Sequence, residues 1–118
     1  MITLIEATVI GHLASKLNSN DVYAERPKTP PEKYWLVEKT GADEENHIVA
    51  ATIAVQSISS GSLLEAAQMS KLAENAMRSL IEVDDVGRCK LNTAYNYTDP
   101  ETKEYRYQAV FDINYMEG

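Results

Sequence analysis

The stretch Arg88–Met116 reads RCKLNTAYNYTDPETKEYRYQAVFDINYM, and its pattern decides the fold. Two runs alternate in side-chain character, Arg88–Thr98 and Glu104–Met116, as expected of strands with one buried face. In the second run an apolar and aromatic set alternates with a mostly polar set; the first set is Tyr105, Tyr107, Ala109, Phe111, Ile113 and Tyr115. The polar segment Thr98–Lys103 between the runs has strong turn chemistry. We therefore predict an antiparallel hairpin.

A second hairpin is predicted before this one. Tyr34–Lys39 alternates, with Trp35 and Val37 expected on one face, and Ile48–Ile58 is a long strand. The polar, glycine-containing segment Thr40–Asn46 is interpreted as the loop that joins them. A short strand, Val22–Glu25, precedes this hairpin, and the prolines at 27, 30 and 31 predict a stiff loop in between.

Two amphipathic helices complete the pattern. Thr3–Leu17 carries an apolar residue at every fourth position of one stripe, and its first turn has the form of a capping box, Thr3 with Glu6. Ser62 with Glu65 is a second capping box, which opens a helix that extends to about Ile81. The stripe of that helix indicates core packing; it comprises Leu63, Ala66, Ser70, Ala73, Met77 and Leu80. We expect Trp35, the single tryptophan, to be buried between sheet and helix.

These elements predict an α+β fold, with a largely antiparallel sheet of about five strands and two helices packed on one face. The length of 118 residues is that of one domain, so residues 1–118 are interpreted as a single unit. Hydrophobic residues at 44% and charged residues at 25% are ordinary for a globular protein.

The charge balance argues against general nucleic-acid affinity. The formal net charge is −7, whereas phosphate binding needs clustered Lys and Arg. One cysteine excludes an intrachain disulfide, and no apolar run approaches the length of a membrane span. The stretch Met1–Leu17 has its acid, Glu6, early and its base, Lys16, late, which is not the order of a signal peptide. A cytoplasmic protein is expected.

The search for chemistry finds no catalytic, cofactor-binding or metal site. His12 and His47 lie far apart, and His12 is interpreted as a helix-border residue. Asp84 and Asp85 adjoin in a turn, but no further ligands are spaced to complete a metal shell. Cys89 lies between Arg88 and Lys90, and neighbouring cations lower the pKa of a thiol. A nucleophilic Cys–His pair is therefore one alternative, but a structural cysteine is favoured. The protein is therefore predicted not to be an enzyme.

The chain resembles tail-terminator (tail-completion) proteins of long-tailed bacteriophages in the general character of its sequence and in the order of its helices and strands. The closing stretch 105–113, YRYQAVFDI, is the most suggestive, because an aromatic-basic pair precedes an apolar strand. The other stretches that carry the resemblance are 22–25 (VYAE), 34–37 (YWLV), 50–57 (AATIAVQS) and 76–80 (AMRSL).

The resemblance implies a structural virion protein that forms a homo-oligomeric ring, usually a hexamer, at the head-proximal end of the tail tube. Such a ring ends tail growth and joins the tail-tube protein to the head connector protein. DNA passes through it without specific binding, which an acidic subunit suits. The resemblance implies no catalytic residues and no cofactor, a final location in the virion tail, and the host cytoplasm during assembly.

Three alternatives stay open at this point. Another head–tail connector or neck protein shares this size and charge and differs in the partner it binds. A small enzyme or ligand-binding α+β domain would need a deep pocket with convergent polar groups. A single-strand nucleic-acid binder is suggested by four tyrosines between positions 95 and 107, because aromatic side chains on a sheet stack unpaired bases.

The turn Thr98–Lys103 yields a first prediction. Replacing Asp99 and Glu101 together by Ala should leave the fold intact, because a polar turn that projects from the sheet tolerates change. Thermal unfolding followed by circular dichroism measures this. A double variant that does not fold would refute the hairpin assignment.

Overall fold

The structure is a computed structural model that describes residues 4–83, 86–98, 101 and 104–116. Its helices are α1 (Leu4–Leu17) and α2 (Leu63–Arg78), the second followed by a 3-10 turn at Ser79–Glu82. The strands are β1 (Val22–Tyr23), β2 (Lys33–Glu45), β3 (Ile48–Ser59), β4 (Val86–Asn96) and β5 (Tyr105–Met116). The predicted turns at Asp84–Asp85 and Thr98–Lys103 fall largely outside the described residues, as does Thr3 of the first capping box.

The five strands form one sheet in the order β1-β2-β3-β5-β4. Every neighbouring pair is antiparallel except β1 with β2, which is parallel. Helix α2 is the crossover that carries the chain from β3 to β4 on the far side of β5. The predicted α+β fold, with a largely antiparallel sheet and two helices, is confirmed.

The core lies between the helices and one face of the sheet, which we call the helix face. Strands β3 and β5 supply Ile53, Val55, Phe111 and Ile113, and the helices supply the stripes predicted from the sequence. Val9 and Leu13 of α1 and Ala73 and Met77 of α2 are fully buried, so both stripes are confirmed. Burial of these side chains is the main stabilising contribution to the fold.

The helix ends follow local chemistry. Helix α1 ends at Leu17 because Asn18 adopts a positive φ of 52°, a conformation that asparagine tolerates, and the amide of Ser19 donates to the carbonyl of Ala14. At α2, the Ser62 hydroxyl accepts from the Glu65 amide, as the capping box predicts. The Glu65 carboxylate, however, accepts from the Ser59 hydroxyl and pairs with Lys33, and so fixes the helix start to the sheet.

The prediction of a loop at Thr40–Asn46 is wrong. Strand β2 continues to Glu45 after an irregularity at Thr40, and the connection to β3 is the two-residue turn Asn46-His47. Both turn residues have positive φ, 53° and 66°, as a type I′ hairpin turn requires. The polar composition misled the assignment because this part of the hairpin is exposed on both faces, so no apolar alternation marks it.

The face assignment of β4 also needs correction. Strict alternation along the run Arg88–Thr98 predicts Leu91 on one face with Thr93, Tyr95 and Tyr97, but the pairing with β5 shifts between Leu91 and Thr93. This bulge reverses the alternation. Leu91 therefore lies on the helix face opposite Phe111, whereas Tyr95 pairs with Gln108 on the other face, which we call the open face.

Trp35 is buried as expected, with 8% of its surface exposed, and its indole N–H donates to the carbonyl of Met69 in α2. Replacing Trp35 with Ala should lower the free energy of unfolding by about 3–5 kcal/mol, because it removes a large core side chain. Denaturant unfolding measures the loss, and Trp35→Phe is the milder control. A native fluorescence maximum typical of water-exposed indole would contradict this placement.

Candidate assembly surfaces

No metal site is found in the described part of the chain, and the hollows there open onto the surface. No group of three or more His, Cys, Asp or Glu side chains is close enough to hold a metal ion there. The hollows that the surface does have are shallow. One of about 300 Å³ lies between α2 and β4, and others flank the far ends of β2 and β4. None of the helices described is both long and apolar enough for a membrane span.

Cys89 is not an activated thiol. Burial raises its pKa to about 11, so the thiol stays protonated at neutral pH. The flanking cations Arg88 and Lys90 do not lower the pKa, because alternation along the strand places them on the open face while Cys89 faces α2 beside Met77. No hydrogen bond joins Cys89 to a histidine among the described residues.

His12 connects the two helices. Its Nε2 lies 2.9 Å from the carbonyl oxygen of Ala76 and 2.9 Å from the hydroxyl of Ser79. The Ser79 hydroxyl in turn donates to the Ala76 carbonyl at 2.8 Å. These contacts add to the hydrogen bond that the Ala76 carbonyl accepts from the Ser79 amide, at the C-terminal end of α2. His12 therefore has a structural role at the border between α1 and α2, as the sequence predicted.

A buried carboxylate organises one end of the open face. Glu104 accepts a hydrogen bond from the Tyr34 hydroxyl at 2.9 Å and pairs with Arg106 at 3.3 Å and with Arg26 at 3.4 Å. Burial alone would raise the pKa of Glu104, but these hydrogen bonds outweigh it and the pKa lies below its ordinary value. Because Arg26 belongs to the segment that leads into the proline loop, the cluster holds this loop against the sheet.

The tyrosines of the open face are engaged with neighbouring side chains. The Tyr95 hydroxyl accepts from Gln108 at 2.6 Å, Gln108 accepts from Gln56 at 3.0 Å, and Tyr95 meets Tyr97 edge-on. Arg106, two residues before Gln108 on the same face of β5, forms a salt bridge with Glu104. Base-stacking sheets place free cations beside their aromatic side chains, so this arrangement does not favour the nucleic-acid alternative.

The β2–β3 hairpin extends beyond the core as an arm, defined as residues 41–48. All eight of these residues are exposed. The arm carries three adjacent acids, Asp43, Glu44 and Glu45, and no salt bridge of the described residues engages them. The molecule is correspondingly elongated, with extents of 44 × 26 × 25 Å. A projecting arm of this kind can contact a neighbouring molecule without rearrangement of the core.

Strand β4 is an edge strand with its outer side uncovered in the described part of the chain. It carries two exposed cations, Arg88 and Lys90, and exposed Leu91. A long strand with unpaired N–H and C=O groups is a ready surface for pairing with another strand. The edge is nevertheless interrupted by bulges at Gly87 and Asn92, which divide it into the short regular segments Arg88–Leu91 and Thr93–Asn96.

Exposed apolar side chains also mark two further places. Leu64 and Leu72 project from the outer side of α2, with 69% and 56% of their surfaces exposed. Ile48 and Met116 pair across β3 and β5 at the end of the sheet and are exposed by 51% and 62%. Exposed apolar groups that lie next to one another, as Ile48 and Met116 do, can contribute to a contact with another protein.

Several chains of solved structures match the fold of this protein. No protein-family model matches the chain, and no curated protein matches it either. A solved structure described as "Virion of native gene transfer agent (GTA) particle" contains a chain of the same fold, with a TM-score of 0.54 and 15% sequence identity. The match covers 96% of this chain and 95% of that one. The two chains therefore share their architecture over nearly their whole length.

Sequence reasoning missed the arm, the bulges of β4 and the Glu104 cluster. Asn46 preceding His47 was the available signal for a tight turn, because asparagine tolerates positive φ. The bulges and the cluster left no signal in the sequence, since Arg26 and Glu104 are 78 positions apart and meet only through the fold.

The Glu104 cluster predicts a specific acid sensitivity. Glu104→Gln should lower the free energy of unfolding at pH 7 by about 1.5–3 kcal/mol, because it weakens charge-assisted hydrogen bonds to a buried group. The folded pKa is depressed, so the contribution of Glu104 is present above the unfolded pKa of about 4.3 and is lost as pH falls through the folded value.

Denaturant unfolding of the wild type and Glu104→Gln at several pH values measures this. The difference in the free energy of unfolding between wild type and variant should become smaller below about pH 4, where glutamate side chains become protonated. Exposed Glu38→Gln is the matched control and should show no such narrowing. A difference that stays constant down to acid pH would contradict the assignment.

Proposed function

We propose that the protein is a structural component of a phage-type virion, and specifically a tail terminator that forms a ring at the head-proximal end of the tail tube. The observation that carries the proposal is the full-length fold match to a chain of a gene transfer agent virion, a phage-like particle. Fold alone does not define function, so the proposal also draws on the element order and closing strand that resemble tail terminators.

The surfaces are compatible with assembly. The described residues carry an exposed arm, an uncovered strand edge and exposed apolar side chains, all of which suit contact with other proteins. The net charge of −7 opposes retention of DNA in a lumen and keeps free subunits apart by self-repulsion. A protein that is monomeric when purified alone is therefore consistent with a ring that forms only on the tail.

The experiment adds purified protein to tails assembled without their terminator and images them by electron microscopy. We expect a ring at the head-proximal end and, on addition of filled heads, joined particles. Tails that gain no ring and still fail to join heads would refute the terminator role.

The same experiment separates the terminator from another neck protein. A terminator binds the end of the tail tube in the absence of heads, whereas a neck protein of the head side binds isolated heads and leaves the tails bare. A preparation of heads without tails, incubated in parallel with the protein, provides this comparison.

A further inference from the structure

The two outer edges of the sheet are uncovered over defined lengths. Strand β1 pairs only with Trp35 and Leu36 of β2, so the rest of β2 as far as Glu45 has no outer neighbour among the described residues. The other edge is β4. Bulges divide each edge into regular segments, and those nearest the arm are Gly41–Glu45 of β2 and Arg88–Leu91 of β4.

These segments have opposite charge and lie at the same end of the sheet. Asp43, Ala50, Asn114 and Arg88 are successive partners across β2, β3, β5 and β4, so they form one row. Paired residues share a face, and Asp43 and Arg88 therefore both project from the open face at opposite edges. Glu45 and Lys90 follow on the same face, two residues further along their strands.

The charges on both edges are exposed and unengaged. No salt bridge of the described residues includes Asp43, Glu45, Arg88 or Lys90. Asp112, the cross-strand partner of Lys90, already accepts a hydrogen bond from Asn92 at 3.0 Å. Two cations are thus concentrated on one edge of a protein whose net charge is −7, and two anions on the facing edge.

We infer that the acidic edge of β2 in one copy of this chain pairs antiparallel with the basic edge of β4 in the next copy. Strands β2 and β4 run in opposite directions, so two copies in the same orientation meet as antiparallel neighbours. If one copy is shifted by two residues from the alignment in which Asp43 faces Arg88, Asp43 lies opposite Lys90 and Glu45 lies opposite Arg88. An even stagger keeps every side chain on its face, and closing a sheet on itself requires such a stagger.

The contact is head-to-tail and therefore closes into a ring or grows as a filament. The alternative contacts, β2 with β2 or β4 with β4, would oppose like charges and are disfavoured. The inference rests on the proposed function in one respect, namely that the strand pairing with each edge comes from a second copy of this chain. The contact and the tail role can be tested separately.

Charge reversal with mixing is the decisive test. The acid-edge variant is Asp43→Lys with Glu45→Lys, and the base-edge variant is Arg88→Glu with Lys90→Glu. Each variant alone opposes like charges at every contact, so its self-association should weaken at least about tenfold. In an equimolar mixture the two variants can alternate, every contact then joins opposite charges, and association should return in rings of even number.

The measurement is sedimentation velocity at several ionic strengths, in parallel with electron microscopy of terminator-deficient tails. Glu25→Lys with Glu32→Lys is the matched control for the acid-edge variant, because it changes the net charge by the same amount and in the same direction at exposed positions outside both edges. It should associate at least as well as the wild type. Thermal unfolding verifies that each variant is folded.

Cross-linking tests the register. In a Cys89→Ala background, Glu45→Cys with Arg88→Cys should form an intermolecular disulfide under mild oxidation, because directly opposed strand residues meet the Cα distance that a disulfide needs. Glu45→Cys with Thr93→Cys lies five residues out of register and should not cross-link.

The outcomes separate the two proposals. If wild-type rings form on tails while the variants behave like the control and no cross-link appears, the contact is overturned and the terminator role stands. If the variants and cross-links behave as expected in solution but tails gain no ring, the contact stands and the terminator role is overturned. A wild type that neither associates nor cross-links, with tails present, overturns both.

Discussion

The pairing of β3 along its whole length with both β2 and β5 is the constraint on which the rest of the structure depends. Each of its residues from Ile48 to Ser59 has a partner in β5 and another in β2. The middle of β3 also forms the floor of the core through Ile53 and Val55. Helix α2 packs there, and Trp35 joins that helix to β2 by packing and by a hydrogen bond. A slip of β3 by one residue would expose the whole apolar set.

This constraint explains which parts of the fold could be predicted from the sequence. Where one face is buried, alternation identifies the strands, and it located β5, most of β3 and the first half of β2. Where both faces are exposed, as in residues 41–48, hydrophobic periodicity carries no information and the polar composition imitates a loop. A two-residue turn at Asn46-His47 then fixes a register that composition alone did not reveal.

Features that depend on contacts between distant segments could not be predicted either. The sequence places Glu104 only as the first residue of the last strand, yet its side chain is buried and bonded to Tyr34, Arg26 and Arg106. A buried carboxylate is tolerated only when its partners are present, and those partners come from three parts of the chain. Likewise the bulge at Asn92 changes which residues of β4 lie on each face of the sheet, and no residue pattern in the sequence predicts it.

The surfaces we propose for assembly follow from the same architecture. Two helices cover one face of a five-stranded sheet, and the short β1 protects only the first part of β2, so both outer edges stay uncovered at the far end. Proteins usually blunt such edges with charges and bulges, and both devices are present. Charges of one sign on both edges would prevent pairing altogether, whereas opposite signs prevent only like-edge pairing. The acidic arm and the basic β4 therefore disfavour random aggregation and leave head-to-tail pairing as the contact that the edge charges support.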